Sequence, residues 1–249
     1  MVTGYADDDG HQESPNIQNL LSQHSFPRGA RVGVILHSLM EDLDFQTDDY
    51  SALCDRTLRR LGLDDEWLPV LQQWVQDILK APLGQFSLQD VGLTDRLDEM
   101  EFHFPLATST NLVQFLAERG YLEGTANKAL LLQGQMTGLI DLLFRRDGKY
   151  YIADYKSNFL GNSLADYNDE SIAHAMQSHQ YHLQYLIYTV AVHRMLKQKL
   201  PGYRYETHMG GAYYLFLRGM NPQDSRGIFS TKPDLDTVTR LDELLGGSQ

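Results

Sequence analysis

An α/β fold with a mixed central sheet flanked by helices is predicted by three features of the chain. Helix-patterned segments fill most of residues 26–94. An Asp147-Gly148 pair joins two β-rich apolar runs, and a long helical segment separates that hairpin from a further strand. Both faces of the hairpin are largely apolar, Ile140, Leu142 and Phe144 on one and Leu139, Leu143 and Ile152 on the other, which suits a central position covered by helices.

Residues 1–25 are polar, carry the acidic run Asp7-Asp8-Asp9 and lack periodicity, so they read as a disordered tail or linker, with folded structure starting near Phe26. Val32 to Phe45 is helical in pattern, with a stripe of Ile35, Leu36, Leu39, Met40 and Leu43. Two or three further helices lie between Tyr50 and Lys80, completing a largely helical subregion over 26–94. The remainder, 95–249, holds the strands. Asp95 to Leu106 reads as a strand and Asn111 to Arg119 as a short helix ended by Gly120. The hairpin spans about Gly138 to Ser157, and Asn158 to Asn168 is a loop. Glu170 to Lys199 reads as one long helix stopped by Pro201 and Gly202, followed by a strand over Gly211 to Leu217, a short strand near Ile228 and a closing helix from Asp234 to Leu245.

The 249 residues suffice for a sizeable core, and no run approaches the length of a membrane span. The single cysteine, Cys54, excludes an internal disulfide and cannot alone supply a zinc or iron-sulfur site, so a reducing cytoplasmic setting fits. The net charge of −12 argues against gripping nucleic acid over a broad basic surface. The excess is N-terminal: the first 110 residues hold 19 acids against 7 bases, and the rest hold 14 of each. A neutral second half can bind phosphates locally, with help from partner subunits for tight capture of a polyanion. No G-x-x-x-x-G-K-[ST] and no H-E-x-x-H occurs, so a nucleotide-driven motor and a zinc protease are unsupported.

The chemistry concentrates in the hairpin. An Asp-Gly pair between β-rich runs favours a two-residue type I′ turn. Arg146 then pairs with Lys149, and counting outward sets Asp141 opposite Asp154. Two unit charges about 4 Å apart repel by roughly 1 kcal/mol in water and about 4 at an effective dielectric near 20, so a purely structural hairpin gains nothing from the pairing. A divalent cation between the carboxylates reverses its sign. Lys156 lies on the same face as Asp154. A carboxylate two residues before a lysine recurs by chance at Asp147 and Lys149, so the opposed Asp141 is what singles out the Asp154 copy.

Other positions leave alternatives open. His37 and Glu41 lie four apart on the first helix: they form a surface pair, or His37 sits at a core edge, or its imidazole is a third metal ligand. Gln184 and Tyr188 share one face of the long helix, and either Tyr188 is core with Gln184 in solvent, or both reach a phosphate or the lysine-bearing strand. The cluster Tyr213-Tyr214-Leu-Phe216 is most simply a buried strand.

The spacing Asp141, Asp154, Lys156 is that of PD-(D/E)xK nucleases. Phe26-Pro-Arg-Gly-Ala with His37 ten residues past the proline, Gly138-Leu-Ile-Asp141, Tyr150-Tyr-Ile-Ala-Asp154-Tyr-Lys156-Ser-Asn158, Tyr181-His-Leu-Gln184-Tyr-Leu-Ile-Tyr188-Thr and Gly210-Gly-Ala-Tyr-Tyr-Leu-Phe-Leu-Arg218-Gly together resemble the C-terminal nuclease domain of the RecB family, the β subunits of bacterial exodeoxyribonuclease V. The resemblance runs in family order from Phe26 to the C-terminus. It implies a RecB-like nuclease domain over 26–249, with a restriction-endonuclease-like core over 95–249, and Mg²⁺-dependent hydrolysis of DNA, mainly single-stranded, in recombinational repair. It also implies His37, Asp141, Asp154 and the Tyr155 carbonyl as metal ligands, Lys156 as the catalytic lysine, Gln184 and Tyr188 as a supporting pair, and Glu41 and Glu101 as supporting acids. Mn²⁺ substituting for Mg²⁺, Ca²⁺ binding without turnover, RecC-like and RecD-like partners, and a RecB helicase portion upstream follow from the same resemblance, as does a bacterial cytoplasmic location with association with the nucleoid during repair. The four-cysteine iron-sulfur staple of some relatives is absent. Two rivals stand beside this reading: a non-catalytic docking or regulatory module of that complex, and a stand-alone endonuclease of the same superfamily.

Overall fold

The computed structural model describes residues 21–106, 110–121 and 134–246. Three helices, α1 (Ala30–Asp42), α2 (Ser51–Leu61) and α3 (Leu68–Lys80), precede strand β1 (Arg96–Leu106), helix α4 (Thr110–Glu118), and the hairpin strands β2 (Gly134–Arg146) and β3 (Lys149–Lys156). Helices α5 (Asp169–Ser178), α6 (Tyr181–Lys199) and α7 (Tyr205–His208), strands β4 (Met209–Phe216) and β5 (Ile228–Thr231), and helix α8 (Leu235–Leu244) complete the described order. The sheet order is β1-β2-β3-β4-β5, antiparallel throughout except for the parallel pair β3 and β4. A parallel pair needs a crossover, which α5 and α6 supply.

Helices cover both faces of the sheet. One core joins α1, α2 and α3 to Leu142, Phe144, Ala153, Tyr155 and Leu215, so the N-terminal helices form a layer on the sheet. The other joins α4, α5, α6 and α8 to Ile140, Leu143, Ile152, Ala212 and Tyr214. Helix α6 is buried on nearly every side from Tyr185 to His193, as a helix in the middle of a layer should be.

The hairpin turn forms as its residues dictate. Asp147 and Gly148 both have positive φ, 49° and 75°, and Arg146 pairs with Lys149. The register runs as predicted to Leu142 opposite Ala153, and the ladder ends one step before the two aspartates. There the Asp141 carboxylate itself accepts the Tyr155 N–H, at 2.8 Å. The strict alternation expected along β2 also fails at this point. Ile140 sits in the same core as Leu143, Leu142 faces the opposite core, and Leu139 is 41% exposed rather than interior. On the neighbouring strand, Glu99 adopts a left-handed φ of 49°, so the local twist of both strands departs from a regular pleat beside Asp141.

Two boundaries differ from expectation. Glu170 to Lys199 is two helices, because Gln180 has φ 56° and ψ 32° and breaks the segment between α5 and α6. Glutamine carries no breaker signal, so the interruption is invisible to a residue-type reading. At the N-terminus, packing begins before Phe26: His24 is buried and Gln23 donates to the Arg218 carbonyl. Residues 1–20 of the expected tail lie outside the described residues. Arg218 itself is 1% exposed and donates to the carbonyls of Gln23, Phe26 and Pro27, with Ser157 O at 3.5 Å, while Trp74 Nε1 donates to Leu217 O at 2.8 Å. These bonds tie the entry of α1 to the ends of β3 and β4.

A non-glycine residue in the left-handed region carries a cost of roughly 1 kcal/mol. Gln180→Gly is expected to raise the unfolding free energy by up to about that amount, as measured by urea denaturation; no change or a loss would show that the break is held without strain.

Candidate active site

Asp154 and Lys156 sit two residues apart on β3, the centre of the sheet, so both project from one face. They are 2% and 9% exposed, and Lys156 Nζ lies 2.6 Å from Asp154 Oδ2. The ammonium also donates to Gln184 Oε1 at 3.1 Å, and Gln184 Nε2 donates to the Tyr188 hydroxyl at 2.7 Å. Helix α6 places Gln184 and Tyr188 one turn apart on the face that covers β3, which makes the chain Tyr188 to Gln184 to Lys156 continuous. The rings of Tyr181 and Tyr214 complete the lysine's surroundings, their centroids 3.9 and 5.0 Å from Nζ.

Asp141 joins this pair from β2. Its carboxylate is fixed by the Tyr155 N–H and by His37 Nδ1, 3.3 Å away. His37 arrives because α1 buries Leu36, Leu39 and Met40 against the sheet, and because Gly33 permits a close approach: a Cβ there would stand 2.8 Å from Ser157 Oγ. The edge of the His37 ring meets Tyr155 at a centroid distance of 6.0 Å. Tyr155 itself is buried in the core on the α1 side.

Burial raises the Asp154 carboxyl to about 6; the charge of Asp141 adds to the rise, and Lys156 opposes it. Burial alone would lower the His37 imidazole, but the hydrogen bond and charge of Asp141, aided by Asp154, outweigh it and lift the group above its ordinary value. Both acids therefore compete for positive charge. Two carboxylates and an imidazole suit a hard divalent cation or Mn²⁺, so the donor set fits such an ion. Here those donors engage Lys156, the Tyr155 N–H and one another, and among the described residues no three acidic, histidine or cysteine side chains converge as a preformed metal cluster.

The two remaining acids are not brought in. Glu41 is exposed, and its carboxyl is held above the ordinary range by what desolvation it has and by the charges of Glu99, Asp42 and Asp98, an acidic group at the flank of β1. Glu101 is exposed, with its Oε1 3.4 Å from His103 Nε2. Tyr181 and Tyr214 were not singled out as site residues from the sequence. The parallel register sets Tyr214 beside Asp154, a neighbour relation that residue spacing along one strand does not carry.

A family model described as the PD-(D/E)XK nuclease superfamily matches residues 15–245. The chain belongs to that superfamily. Among known proteins, the RecB subunit of the RecBCD enzyme from Escherichia coli (strain K12) is 38% identical over 235 residues, covering 91% of this chain and 20% of that subunit. The RecB subunit from Haemophilus influenzae is 38% identical over 233 residues, covering 91% and 19%, and that from Mycobacterium tuberculosis (strain H37Rv) is 30% identical over 262 residues, covering 89% and 24%. The chain thus spans about a fifth of the length of these RecB relatives, consistent with a RecB nuclease domain. In this PD-(D/E)XK nuclease the superfamily spacing falls on Asp141, Asp154 and Lys156, side chains that converge at the end of the β2–β3 ladder.

Breaking a buried ion pair from one side is strongly destabilising. In EDTA, Asp154→Ala and Lys156→Ala are each expected to lose about 3 kcal/mol of unfolding free energy, with the double variant losing clearly less than the two together. Urea denaturation of all four proteins gives the coupling, and strictly additive losses would show that the pair is not the unit.

Proposed function

We propose that this chain is a divalent-metal-dependent nuclease that hydrolyses phosphodiester bonds, mainly of single-stranded DNA, as the nuclease domain of a RecBCD-type enzyme of DNA end processing and recombinational repair. The observation that carries the reading is the buried Asp154–Lys156 pair beside Asp141, backed by Gln184 and Tyr188. A structural sheet has no use for two acids and a lysine held together at its centre.

Asp141, Asp154 and His37, with the Tyr155 carbonyl, would hold Mg²⁺; Mn²⁺ would substitute, and Ca²⁺ would bind without supporting turnover. Such an ion supplies positive charge against a phosphate and eases deprotonation of water. The chain's own residues do the rest. The Tyr155 N–H fixes one oxygen of Asp141, which holds that carboxylate toward Asp154. Gln184, itself fixed by Tyr188, aims the Lys156 ammonium at the carboxylate pair, where it orients an attacking water or stabilises negative charge developing on the phosphate. That role needs only a protonated lysine. His37 must yield its proton to act as a ligand.

The name shared by the relatives, RecBCD enzyme subunit RecB, supports RecC-like and RecD-like subunits as partners, and the family resemblance of the sequence adds a RecB helicase portion. A single strand delivered to this site by a helicase would compensate for the absence of a broadly basic surface, since the chain's net charge is −12. The proposed action on DNA during repair implies a location in the bacterial cytoplasm; no described helix is long and apolar enough to cross a membrane. Cys54, buried with its thiol pushed up to about 12, is inert, and no iron-sulfur cluster is proposed.

With labelled single-stranded DNA and Mg²⁺, wild-type cleavage is expected, abolished by EDTA and reduced more than about a hundredfold by Asp154→Ala or Lys156→Ala. Circular dichroism at the assay temperature checks that both variants remain folded. Retained metal-dependent cleavage by either would sink the assignment. Protons also compete with the metal at His37, whose pKa is raised, and at Asp154, raised to about 6. Mn²⁺ affinity measured by calorimetry should therefore weaken at least about tenfold from pH 7.5 to pH 5.5, and a flat profile would remove both residues as ligands.

A further inference from the structure

His179 and Tyr181 lie two residues apart, which on a continuous helix would send their side chains to nearly opposite sides. The left-handed Gln180 between them reverses that outcome: the two rings stack with centroids 5.2 Å apart and planes 17° from parallel. Asn158, two residues past the site lysine, clamps both. It accepts from the Tyr181 hydroxyl at 3.2 Å, and its amide Nδ2 lies 3.3 Å from His179 Nε2. The same Tyr181 ring has the Lys156 ammonium 3.9 Å from its centroid. His179 is exposed while Tyr181 is partly buried, so the stack leads from the lysine outward to an imidazole open to solvent.

A buried core has no need of this arrangement. An unfavourable backbone conformation at Gln180 is retained, and its effect is to present a flat ring at the mouth of the site. Flat rings beside a phosphate-cleaving centre suit one ligand chemistry in particular, the unpaired base of a single strand. Any base has a π face, so the contact is indifferent to sequence, and a base paired within a duplex has both faces covered by its neighbours.

We propose that His179, stacked on Tyr181 and held by Asn158, is a base-stacking platform that positions one unpaired nucleotide next to the bond being cut. The proposal rests on the single-strand nuclease reading and deepens it, because it supplies a physical source for the preference for single strands. His179 acts here as a positioning residue through the base, without touching the reacting atoms.

The test uses the full chain with Mg²⁺ and short single-stranded oligonucleotides of defined cleavage site, in which one abasic residue is moved stepwise along the strand. His179→Ala should raise KM by about 5- to 100-fold, with the loss falling on KM rather than kcat, and His179→Phe should restore it. One abasic position should raise KM for wild type by a similar factor and add nothing to His179→Ala. A 2-aminopurine base at that position should be quenched on binding to wild type and to His179→Phe, and not to His179→Ala. Unchanged KM in His179→Ala would overturn the platform, as would a loss that phenylalanine does not restore and no abasic position reproduces. Absence of cleavage of every oligonucleotide by wild type is a different result: it removes the nuclease reading, and the platform with it.

Discussion

Placing a carboxylate and an ammonium at the centre of a sheet is the constraint around which the rest of this molecule is arranged. Asp154 and Lys156 are nearly as buried as the leucines beside them, and neither could stay charged there alone. Their mutual contact at 2.6 Å offsets part of the desolvation, and what remains sets the identity of the neighbours. Lys156 needs acceptors and finds Gln184 with two tyrosine faces. Asp141 adds a second negative group and must itself be held, which the Tyr155 N–H and His37 accomplish. Helix α6 is thus fixed to β3 through Lys156 and α1 to β2 through Asp141, by polar contacts as well as by apolar packing.

The same requirement explains where the sheet departs from regularity. A carboxylate that takes a backbone N–H from the adjacent strand replaces a ladder bond, so the β2–β3 ladder stops at Leu142 and Ala153. Beside it, β1 turns Glu99 into a left-handed conformation, and Ile140 and Leu142 part company into different cores. Irregularity here is local and coincides with the acids, whereas the turn end of the hairpin keeps its ideal register.

Much of this was legible in the residues because it depends on local rules. The Asp147-Gly148 turn sets a register by counting, the alternation of a strand puts Asp154 and Lys156 on one face, and helical spacing pairs Gln184 with Tyr188. The fold class followed from the order of helical and strand patterns, and the core positions of α1 from its apolar stripe. What was hidden depends on relations between distant segments or on conformations that residue type does not announce. Tyr214 reaches the site through a parallel register with β3, Gln180 breaks a helix without being a glycine, and Leu139 faces solvent because the pleat is disturbed at Asp141. Glu101 carries the right chemical group, yet its side chain turns to His103.

Arg218 adds a consequence in time. This buried cation has backbone carbonyls as its hydrogen-bond acceptors, and three of them belong to residues 23–27, nearly two hundred positions earlier in the chain. The stretch leading into α1 is made before its anchor, which emerges from the ribosome only after β3, α5, α6 and β4. Until then the stretch leading into α1 lacks these contacts. The segment that leads α1 to the sheet therefore gains this polar anchor only once Arg218 has been made.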